Sequence, residues 1–172
     1  MNSNRRALFL DRDGVLNELV ASSRNAGRAP WDWSEVRFCK GLEALQVLRE
    51  RGYLLILVTN QPDIERGLVT RRFVEELNGY FIKKFCLTAA YYCPSADPAH
   101  IDKKPNPGMA LRAARDYSID LASSWLLGDT ESDTGTARSA GCRSILIDRP
   151  YNREIEADRR IGDVNELLLH LG

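Results

Sequence analysis

The sequence predicts an α/β fold, namely a Rossmann-like doubly wound parallel sheet of about five strands, with helices on both faces and a small or absent cap. Short apolar runs alternate with helix-like segments along the chain, which is typical of parallel strands joined by crossover helices. One run, residues 54–58, is apolar throughout, as a strand buried on both faces should be. Because 172 residues suffice for one hydrophobic core, we predict a single domain over residues 1–172.

The candidate strands are short runs of apolar residues, several of them flanked by polar or turn-forming residues. In order along the chain, they cover residues 7–10, 54–58, 89–93, 124–127 and 144–147. In a doubly wound sheet, ligands bind beyond the carboxyl ends of the strands, near the point where the strand order reverses. The polar residues that directly follow each strand are therefore the candidates for function.

Capping residues and helical spacing place the helices between these strands. Leucines at helical spacing lead to Gly52, where we expect the first helix to end. Thr70 is a candidate N-cap for the second helix, and Asn106 is one for the third, with Pro107 at the first helical position. The remaining segments are predicted to be a helix over about 131–140 closed by Gly141, a charged loop over 149–162 and a last short helix over 164–170.

The overall composition is that of a soluble protein without a polyanionic partner. The chain has 24 basic and 24 acidic residues and therefore no formal net charge, which argues against binding to nucleic acid or to an anionic membrane. The N-terminal apolar stretch is interrupted by Asp11, so we expect no signal segment and a cytoplasmic protein. The four cysteines form no CxxC pair, which favours reduced thiols. We expect a monomer with a small-molecule substrate.

Two carboxylates separated by one residue follow the first candidate strand. Asp11 can attack phosphorus and form an aspartyl phosphate, and Asp13 can protonate the leaving oxygen and then activate water. Gly14 allows the sharp backbone turn that this arrangement requires. Because two carboxylates this close repel one another, the pattern calls for a divalent cation between them and the phosphate.

Polar groups suited to an anion follow the second and third candidate strands. Thr59, Asn60 and Gln61 offer a hydroxyl and two amides at a strand end, which suits a phosphate oxygen. The adjacent pair Lys103 and Lys104 stands before a proline and supplies a positive charge. Taken singly, each group has a structural alternative, such as a helix entry or a solvated surface.

Acidic residues follow the fourth candidate strand and complete the pattern. Asp129 and Asp133 can add oxygen ligands for a hard cation such as Mg²⁺. An isolated Asp-x-Asp-Gly is as often a simple turn as a site. Four polar clusters that follow four strands at one edge of a sheet, however, indicate a functional site.

The longer strings around these residues resemble the four motifs of the haloacid dehalogenase superfamily. Within it, they are similar to the group that contains D-glycero-D-manno-heptose 1,7-bisphosphate phosphatases and histidinol-phosphate phosphatases. The resemblance spans about residues 7–148 and rests on the strings Phe-Leu-Asp-Arg-Asp-Gly-Val-Leu-Asn, Val-Thr-Asn-Gln-Pro-Asp-Ile-Glu-Arg-Gly, Tyr-Tyr-Cys-Pro, Lys-Lys-Pro-Asn-Pro-Gly-Met and Leu-Gly-Asp-Thr-Glu-Ser-Asp.

The resemblance implies a role for each residue of the set. It makes Asp11 the nucleophile and Asp13 the general acid and base, with the Asp13 carbonyl also on the metal. The Thr59 hydroxyl and the Lys104 ammonium would hold the phosphoryl oxygens, and Asn60, Gln61 and Lys103 would contact substrate. The ligands of Mg²⁺ would be Asp11, Asp13, Asp129 and, directly or through water, Asp133.

One feature of the group is degraded in this chain. Members usually hold a structural zinc with a Cys-x-His pair and a later Cys-x-Cys pair. Cys93 stands at the first position, but Ser95 replaces the histidine, and His100 and Asp102 stand where the second pair would be. Because a mixed set of three ligands makes a weak site, we do not expect a structural zinc. The same loop helps to select the substrate, so its change affects the choice of sugar.

A second element that could determine specificity is the segment 21–33. It contains Arg24, Arg28, Trp31 and Trp33 and could fold over the site as a flap, with an arginine on a second phosphate. The alternative is that the tryptophans pack at the edge of the core.

The function that the sequence favours is Mg²⁺-dependent hydrolysis of a sugar phosphate. The resemblance implies a heptose bisphosphate, in the synthesis of lipopolysaccharide or surface-polysaccharide precursors. One alternative is histidinol-phosphate phosphatase, and the other is a binding module of the same fold that has lost catalysis. A polynucleotide 3′-phosphatase is disfavoured because the chain has no excess of positive charge.

Overall fold

The structure, a computed structural model, describes residues 5–22 and 27–172. Within these residues the chain forms one six-stranded sheet in the order β3-β2-β1-β4-β5-β6, and every neighbouring pair of strands is parallel. The strands are β1 (Ala7–Leu10), β2 (Leu54–Asn60), β3 (Ala89–Cys93), β4 (Trp125–Gly128), β5 (Arg143–Ile147) and β6 (Arg159–Ile161).

Helices cover both faces of this sheet. They are α1 (Ala44–Glu50), α2 (Arg71–Phe85), α3 (Gly108–Tyr117), α4 (Glu131–Ala140) and α5 (Leu167–His170), with 3-10 turns at Trp33–Glu35, Leu121–Ser123 and Val164–Glu166. Side chains of β1 alternate between two apolar clusters, because successive strand residues point to opposite faces. Leu8 and Leu10 pack in the cluster that includes α1, α2 and α5, whereas Ala7 and Phe9 pack in the one that includes α3 and α4. The predicted doubly wound α/β class is confirmed.

The strand count differs from the prediction. Strand β6 lies inside the segment 149–162, which the sequence analysis assigns to a charged loop, and it pairs with β5 through Ile147 and Ile161. Arg159 is exposed, Arg160 is partly buried and only Ile161 is buried, so no apolar run marks the strand. A short edge strand with charged residues is a common way to protect a sheet edge.

The start of α3 also differs from the prediction. The helix begins at Gly108 with Pro107 in the N-cap position, and no side chain caps it. The Asn106 amide instead donates to the carbonyls of Pro98 and His100, each at 2.9 Å. The predicted Asn106 cap is therefore wrong, because this side chain braces the preceding loop. The caps at Thr70 and Gly141 are confirmed.

The strand order reverses between β1 and β4. The chain leaves β1 to form β2 on one side and later returns to form β4 on the other. Asp11 and Asp129 directly follow these two adjacent strands, and the Asp11 N–H donates to the Leu127 carbonyl at 2.9 Å. The topology therefore brings two of the predicted site residues together at the switch point.

The segment between β1 and α1 forms a small cap. Its described residues contain isolated β-bridges, including Val20 with Arg28, and the short turn Trp33–Glu35. In the described part of the chain, none of the helices is long and apolar enough to cross a membrane.

Candidate active site

A buried ion-pair network forms the centre of the site. Lys104 is 4% exposed, and its Nζ lies 2.8 Å from Asp11 Oδ1 and 2.5 Å from Asp133 Oδ1. Burial alone would lower the pKa of Lys104, but the two carboxylates outweigh this effect and raise the pKa above its ordinary value. Lys104 therefore stays charged and provides a positive group beside the predicted nucleophile.

Two of the carboxyl groups around Lys104 have raised pKa values. Burial, opposed by Lys104 and assisted by neighbouring carboxylates, raises the pKa of Asp11 to about 8. Burial and Asp133 raise the pKa of Asp129 to about 7. The protein alone thus does not compensate the negative charge that it collects here.

The donor set fits a hard divalent cation. Asp11, Asp129 and Asp133 each offer an oxygen within 4.8 Å of the others, and no other group of three potential ligand residues occurs among the described residues. Asp129 Oδ1 is buried and has no hydrogen-bond partner within the described chain. When all three carboxyl groups are ionised, they and the ammonium of Lys104 leave two uncompensated negative charges, which match the charge of Mg²⁺.

Asp133 is held by the protein on both sides. One oxygen pairs with Lys104, and the other accepts from the N–H groups of Asp129 at 3.3 Å and Thr130 at 3.0 Å and from the Thr130 hydroxyl at 2.6 Å. The contact from the Thr130 N–H belongs to the capping box at the start of α4. All of these contacts favour a supporting role for Asp133 over direct ligation of a metal.

Asp13 lies in a dense network of donors. Its Oδ1 accepts from Arg12 Nε at 3.2 Å and Asn17 Nδ2 at 2.9 Å. Its Oδ2 accepts from Arg12 Nη2 at 3.1 Å and Gln61 Nε2 at 2.7 Å. All four contacts come from donor groups, so both oxygens of Asp13 act as acceptors. Arg12 and Asn17 belong to the first motif, but its spacing did not identify either as a site residue.

The three polar residues at the end of β2 divide their tasks. Thr59 and Asn60 are the last two residues of the strand, and Gln61 follows it. The Gln61 amide joins Thr59 Oγ1, at 3.0 Å, to Asp13. The Asn60 side chain accepts from the Lys104 N–H and donates to the Lys104 carbonyl, both at 3.0 Å. Asn60 thus orients the backbone that carries the buried lysine.

Lys103 and the residues at the positions of the group's zinc ligands contact the surrounding loop and α3. Lys103 Nζ donates to the Ala96 carbonyl at 2.5 Å, so its charge is directed at the loop that precedes it. Cys93 Sγ lies 3.5 Å from His100 Nδ1, which also accepts from the Asp102 N–H at 3.2 Å. The Asp102 carboxylate pairs with Arg112 at 3.0 Å.

A cavity of about 200 Å³ lies over Asp11. It is bounded on one side by the small cap and on the other by the turn after β2. The described residues that line it are Asp11, Asp13, Leu19, Gly27, Arg28, Ala29, Asn60, Gln61, Pro62, Asp63, Asp129 and Thr130. The predicted flap therefore does border the site, although the predicted contribution of Arg24 lies outside the described residues.

Contacts of Arg28 and Trp31 hold this flap in place. The Arg28 guanidinium lies 3.8 Å from the centre of the Trp31 ring and forms two hydrogen bonds with Glu35. The Trp31 indole N–H donates to Asp63 Oδ2 at 3.0 Å, which links the flap to the turn after β2. Trp33 instead packs edge-on against Phe73 and remains 45% exposed. Trp31 is partly buried and packs against the core, and Phe73 is a core residue, so both tryptophans pack at the edge of the core, as the alternative predicts.

A contact that the sequence did not predict reaches Asp129 from the loop that follows β5. Tyr151, in the segment assigned to a charged loop, donates a short hydrogen bond to Asp129 Oδ2. No local spacing connects this tyrosine with the fourth motif, so only the folded chain reveals the contact.

Comparisons with known proteins agree with the geometry. A family model for HAD-hydrolase-like proteins matches residues 102–162. D-glycero-alpha-D-manno-heptose-1,7-bisphosphate 7-phosphatase of Burkholderia mallei is 35% identical in an alignment 164 positions long, which covers 86% of this chain and 83% of that protein. The beta-anomer 7-phosphatase of Helicobacter pylori (strain 26695) is 34% identical in an alignment 157 positions long, which covers 86% of this chain and 85% of that protein.

A solved structure extends the likeness to the whole described fold. The D,D-heptose 1,7-bisphosphate phosphatase from B. bronchiseptica, complexed with magnesium and phosphate, matches with a TM-score of 0.81 and 27% identity over 97% of this chain and 99% of that one. Together, the identity, the coverage and the site geometry show that this chain belongs to the D-glycero-D-manno-heptose 1,7-bisphosphate phosphatase family of the haloacid dehalogenase superfamily.

Proposed function

We propose that this chain hydrolyses the 7-phosphate of a D-glycero-D-manno-heptose 1,7-bisphosphate, with Asp11 as the nucleophile and Mg²⁺ as the cofactor. One observation carries the chemistry: the Asp11 carboxylate lies 2.8 Å from a buried, charged Lys104 at the end of β1. The similarity to relatives named for this reaction supports the substrate. These relatives include both anomers, so they support the sugar and leave the anomer to experiment.

The first chemical step transfers the phosphoryl group to the protein. An oxygen of Asp11 attacks phosphorus, the bond between phosphorus and the leaving oxygen breaks, and that oxygen takes the proton from Asp13. Lys104 and the Thr59 hydroxyl stabilise the negative charge on the phosphoryl oxygens. Asn60 keeps Lys104 in position through its two backbone contacts.

The second step returns the phosphoryl group to water. Asp13, which gave up its proton in the first step, is now a carboxylate and takes a proton from the attacking water. The water oxygen bonds to phosphorus, the bond to Asp11 breaks, and inorganic phosphate leaves. Both carboxyl groups return to their initial state.

Three groups of this chain would bind Mg²⁺ directly, and a fourth would support them. The side chains of Asp11 and Asp129 and the main-chain carbonyl of Asp13 are the proposed ligands, and Asp133 supports them. Asp129 Oδ1, which is buried without a hydrogen-bond partner among the described residues, supports this assignment. When bound, the cation supplies positive charge that neutralises the phosphoryl oxygens and the leaving group.

The test is phosphate release from a panel of phosphomonoesters with Mg²⁺ and then with a chelator. The panel contains both anomers of the heptose bisphosphate, histidinol phosphate and fructose 1,6-bisphosphate. We expect a preference for a heptose bisphosphate, loss of turnover with chelator, and no turnover by Asp11→Asn. Asp13→Asn should retain at most traces of activity.

Two outcomes would contradict the proposal at different levels. Strong preference for histidinol phosphate would overturn the substrate but keep the chemistry. If wild type with Mg²⁺ hydrolyses nothing in the panel, and Asp11→Asn binds the same ligands equally well, the chain would be a binding module instead of a phosphatase.

A further inference from the structure

Tyr151 makes an unusual contact with the proposed metal ligand Asp129. Its hydroxyl donates to Oδ2, and the other oxygen, Oδ1, is buried and has no hydrogen-bond partner among the described residues. A carboxylate with one oxygen held and one free is oriented for ligation through the free oxygen.

The residue that follows Tyr151 holds the backbone of the same ligand. Asn152 is 1% exposed, and its amide donates to the Asp129 carbonyl at 2.7 Å and to the Ile147 carbonyl at 2.8 Å. Asp129 is therefore held at its side chain and at its main chain by two consecutive residues. The Ile147 contact ties this arrangement to the end of β5.

The same segment also reaches the first motif. The Arg149 guanidinium donates from Nη2 to the Gly14 carbonyl at 2.8 Å. Gly14 follows Asp13, whose own carbonyl is a proposed ligand. One short stretch of chain thus contacts both the first and the fourth motif, which contribute the proposed metal ligands.

The segment is itself braced by the edge of the sheet. Arg160, in β6, donates to Asn152 Oδ1 at 3.1 Å and pairs with Asp148 at 2.7 Å. This support explains why a charged, partly exposed stretch can hold a defined geometry.

We propose that residues 149–152 form an outer clamp of the metal site, in which Tyr151 is a positioning residue that directs Asp129 Oδ1 toward the cation. The inference rests on the proposed function, because it presumes that Asp129 binds Mg²⁺. Its physical basis is general: groups that orient a ligand from outside commonly change metal affinity by about 10- to 100-fold when they are removed.

The test compares Tyr151→Phe with wild type by calorimetric titration of Mg²⁺ without substrate. We expect the dissociation constant of Mg²⁺ to rise by about 10- to 100-fold. The Mg²⁺ concentration for half-maximal activity should rise with it, while KM for the phosphoester at saturating Mg²⁺ should stay unchanged. The unfolding temperature in chelator should remain close to that of wild type, which would separate a metal effect from a general loss of stability.

A matched control is Tyr91→Phe, which also removes a hydroxyl that donates to a carboxylate, Asp116 Oδ2 at 2.8 Å, but on the surface. This variant should bind Mg²⁺ like wild type. Equal Mg²⁺ affinity of Tyr151→Phe and wild type would overturn the clamp and leave the proposed function standing. Failure of wild type itself to bind Mg²⁺ would overturn both.

Discussion

At the scale of single residues, Arg12 shows how a buried charge can serve catalysis. Its side chain is completely buried. The guanidinium donates to both oxygens of Asp13, and its Nη1 donates to Oδ1 of Asn78, a residue of α2, at 3.1 Å. A guanidinium can hold both carboxylate oxygens in one plane, which an ammonium cannot do. Arg12 therefore positions Asp13, the proposed general acid and base, and connects it with a helix of the core.

We predict that Arg12→Lys lowers kcat with little change in KM, because Asp13 loses its planar support while the phosphate contacts remain. Misplacing a catalytic group by about 1 Å can cost about 100-fold in rate. Arg115→Lys is the matched control, since Arg115 also uses Nε and Nη2 on the next residue, Asp116, but on the surface. Steady-state kinetics would contradict the prediction if both variants retained the wild-type kcat.

At the scale of elements, the turn after β1 and the end of β4 are packed too closely for any side chain between them. Gly14 has a φ of +95°, and a Cβ there would lie 2.1 Å from Asp129 Oδ2. Glycine is thus required at this position for two reasons. It adopts the positive φ without strain, and it leaves room for the carboxylate of Asp129, the proposed metal ligand.

We predict that Gly14→Ala abolishes Mg²⁺-dependent turnover, because Asp129 must move away. Gly52→Ala is the control: its φ is +89°, yet nothing lies within 4 Å of the added Cβ. Both variants should lose about 1–3 kcal/mol of unfolding free energy from backbone strain. Only the first should lose activity, and denaturant unfolding with kinetic assays would detect a deviation from this pattern.

The flap and the turn after β2 are joined by the Trp31 indole and Asp63. We predict that Trp31→Phe raises KM by about 10-fold, since a hydrogen bond to a charged group contributes about 1.5–3 kcal/mol and its loss frees the flap. Trp33→Phe, at an exposed position outside the cavity lining, should leave KM unchanged. An unchanged KM for Trp31→Phe would show that this link does not shape the substrate site.

At the scale of the whole molecule, the buried carboxyl groups of the proposed site make the stability of the fold depend on pH. The raised pKa values of Asp11, about 8, and Asp129, about 7, mean that the folded chain binds protons more tightly than the unfolded chain, where a carboxyl has an ordinary value near 3.8. At pH values between the ordinary and the raised pKa, the folded state therefore carries more protons than the unfolded state. Its stability therefore falls as pH rises from about 4 to about 8.

We predict that, in chelator, the unfolding temperature is lower at about pH 8 than at about pH 5.5. Added Mg²⁺ should raise it more at the higher pH, because the cation and protons compete for the same carboxylates. Asp129→Asn should weaken both effects. A calorimetric scan that found the same response to Mg²⁺ at both pH values would contradict this electrostatic account.

Local pattern determined most of the fold and the identity of the main site residues. The apolar runs predicted five of the strands within a few residues, because burial on both faces requires continuous apolar sequence. The rule that ligands bind beyond the carboxyl ends of strands then selected Asp11, Lys104 and Asp129, which the fold does bring together. Strand β6 was not predicted, because only one of its three residues is buried and the strand has no apolar run.

Only the tertiary structure decided how these residues are supported. The Arg12 network, the Trp31 link and the contact of Tyr151 with Asp129 join residues that are distant in sequence or lie in a segment without periodicity. Hydrogen bonds of this kind depend on where the packed sheet and helices place their partners. The sequence by itself thus determined which groups are the candidates for the chemistry, and packing decided which groups hold them, because short-range pattern encodes burial but not the partners of polar side chains.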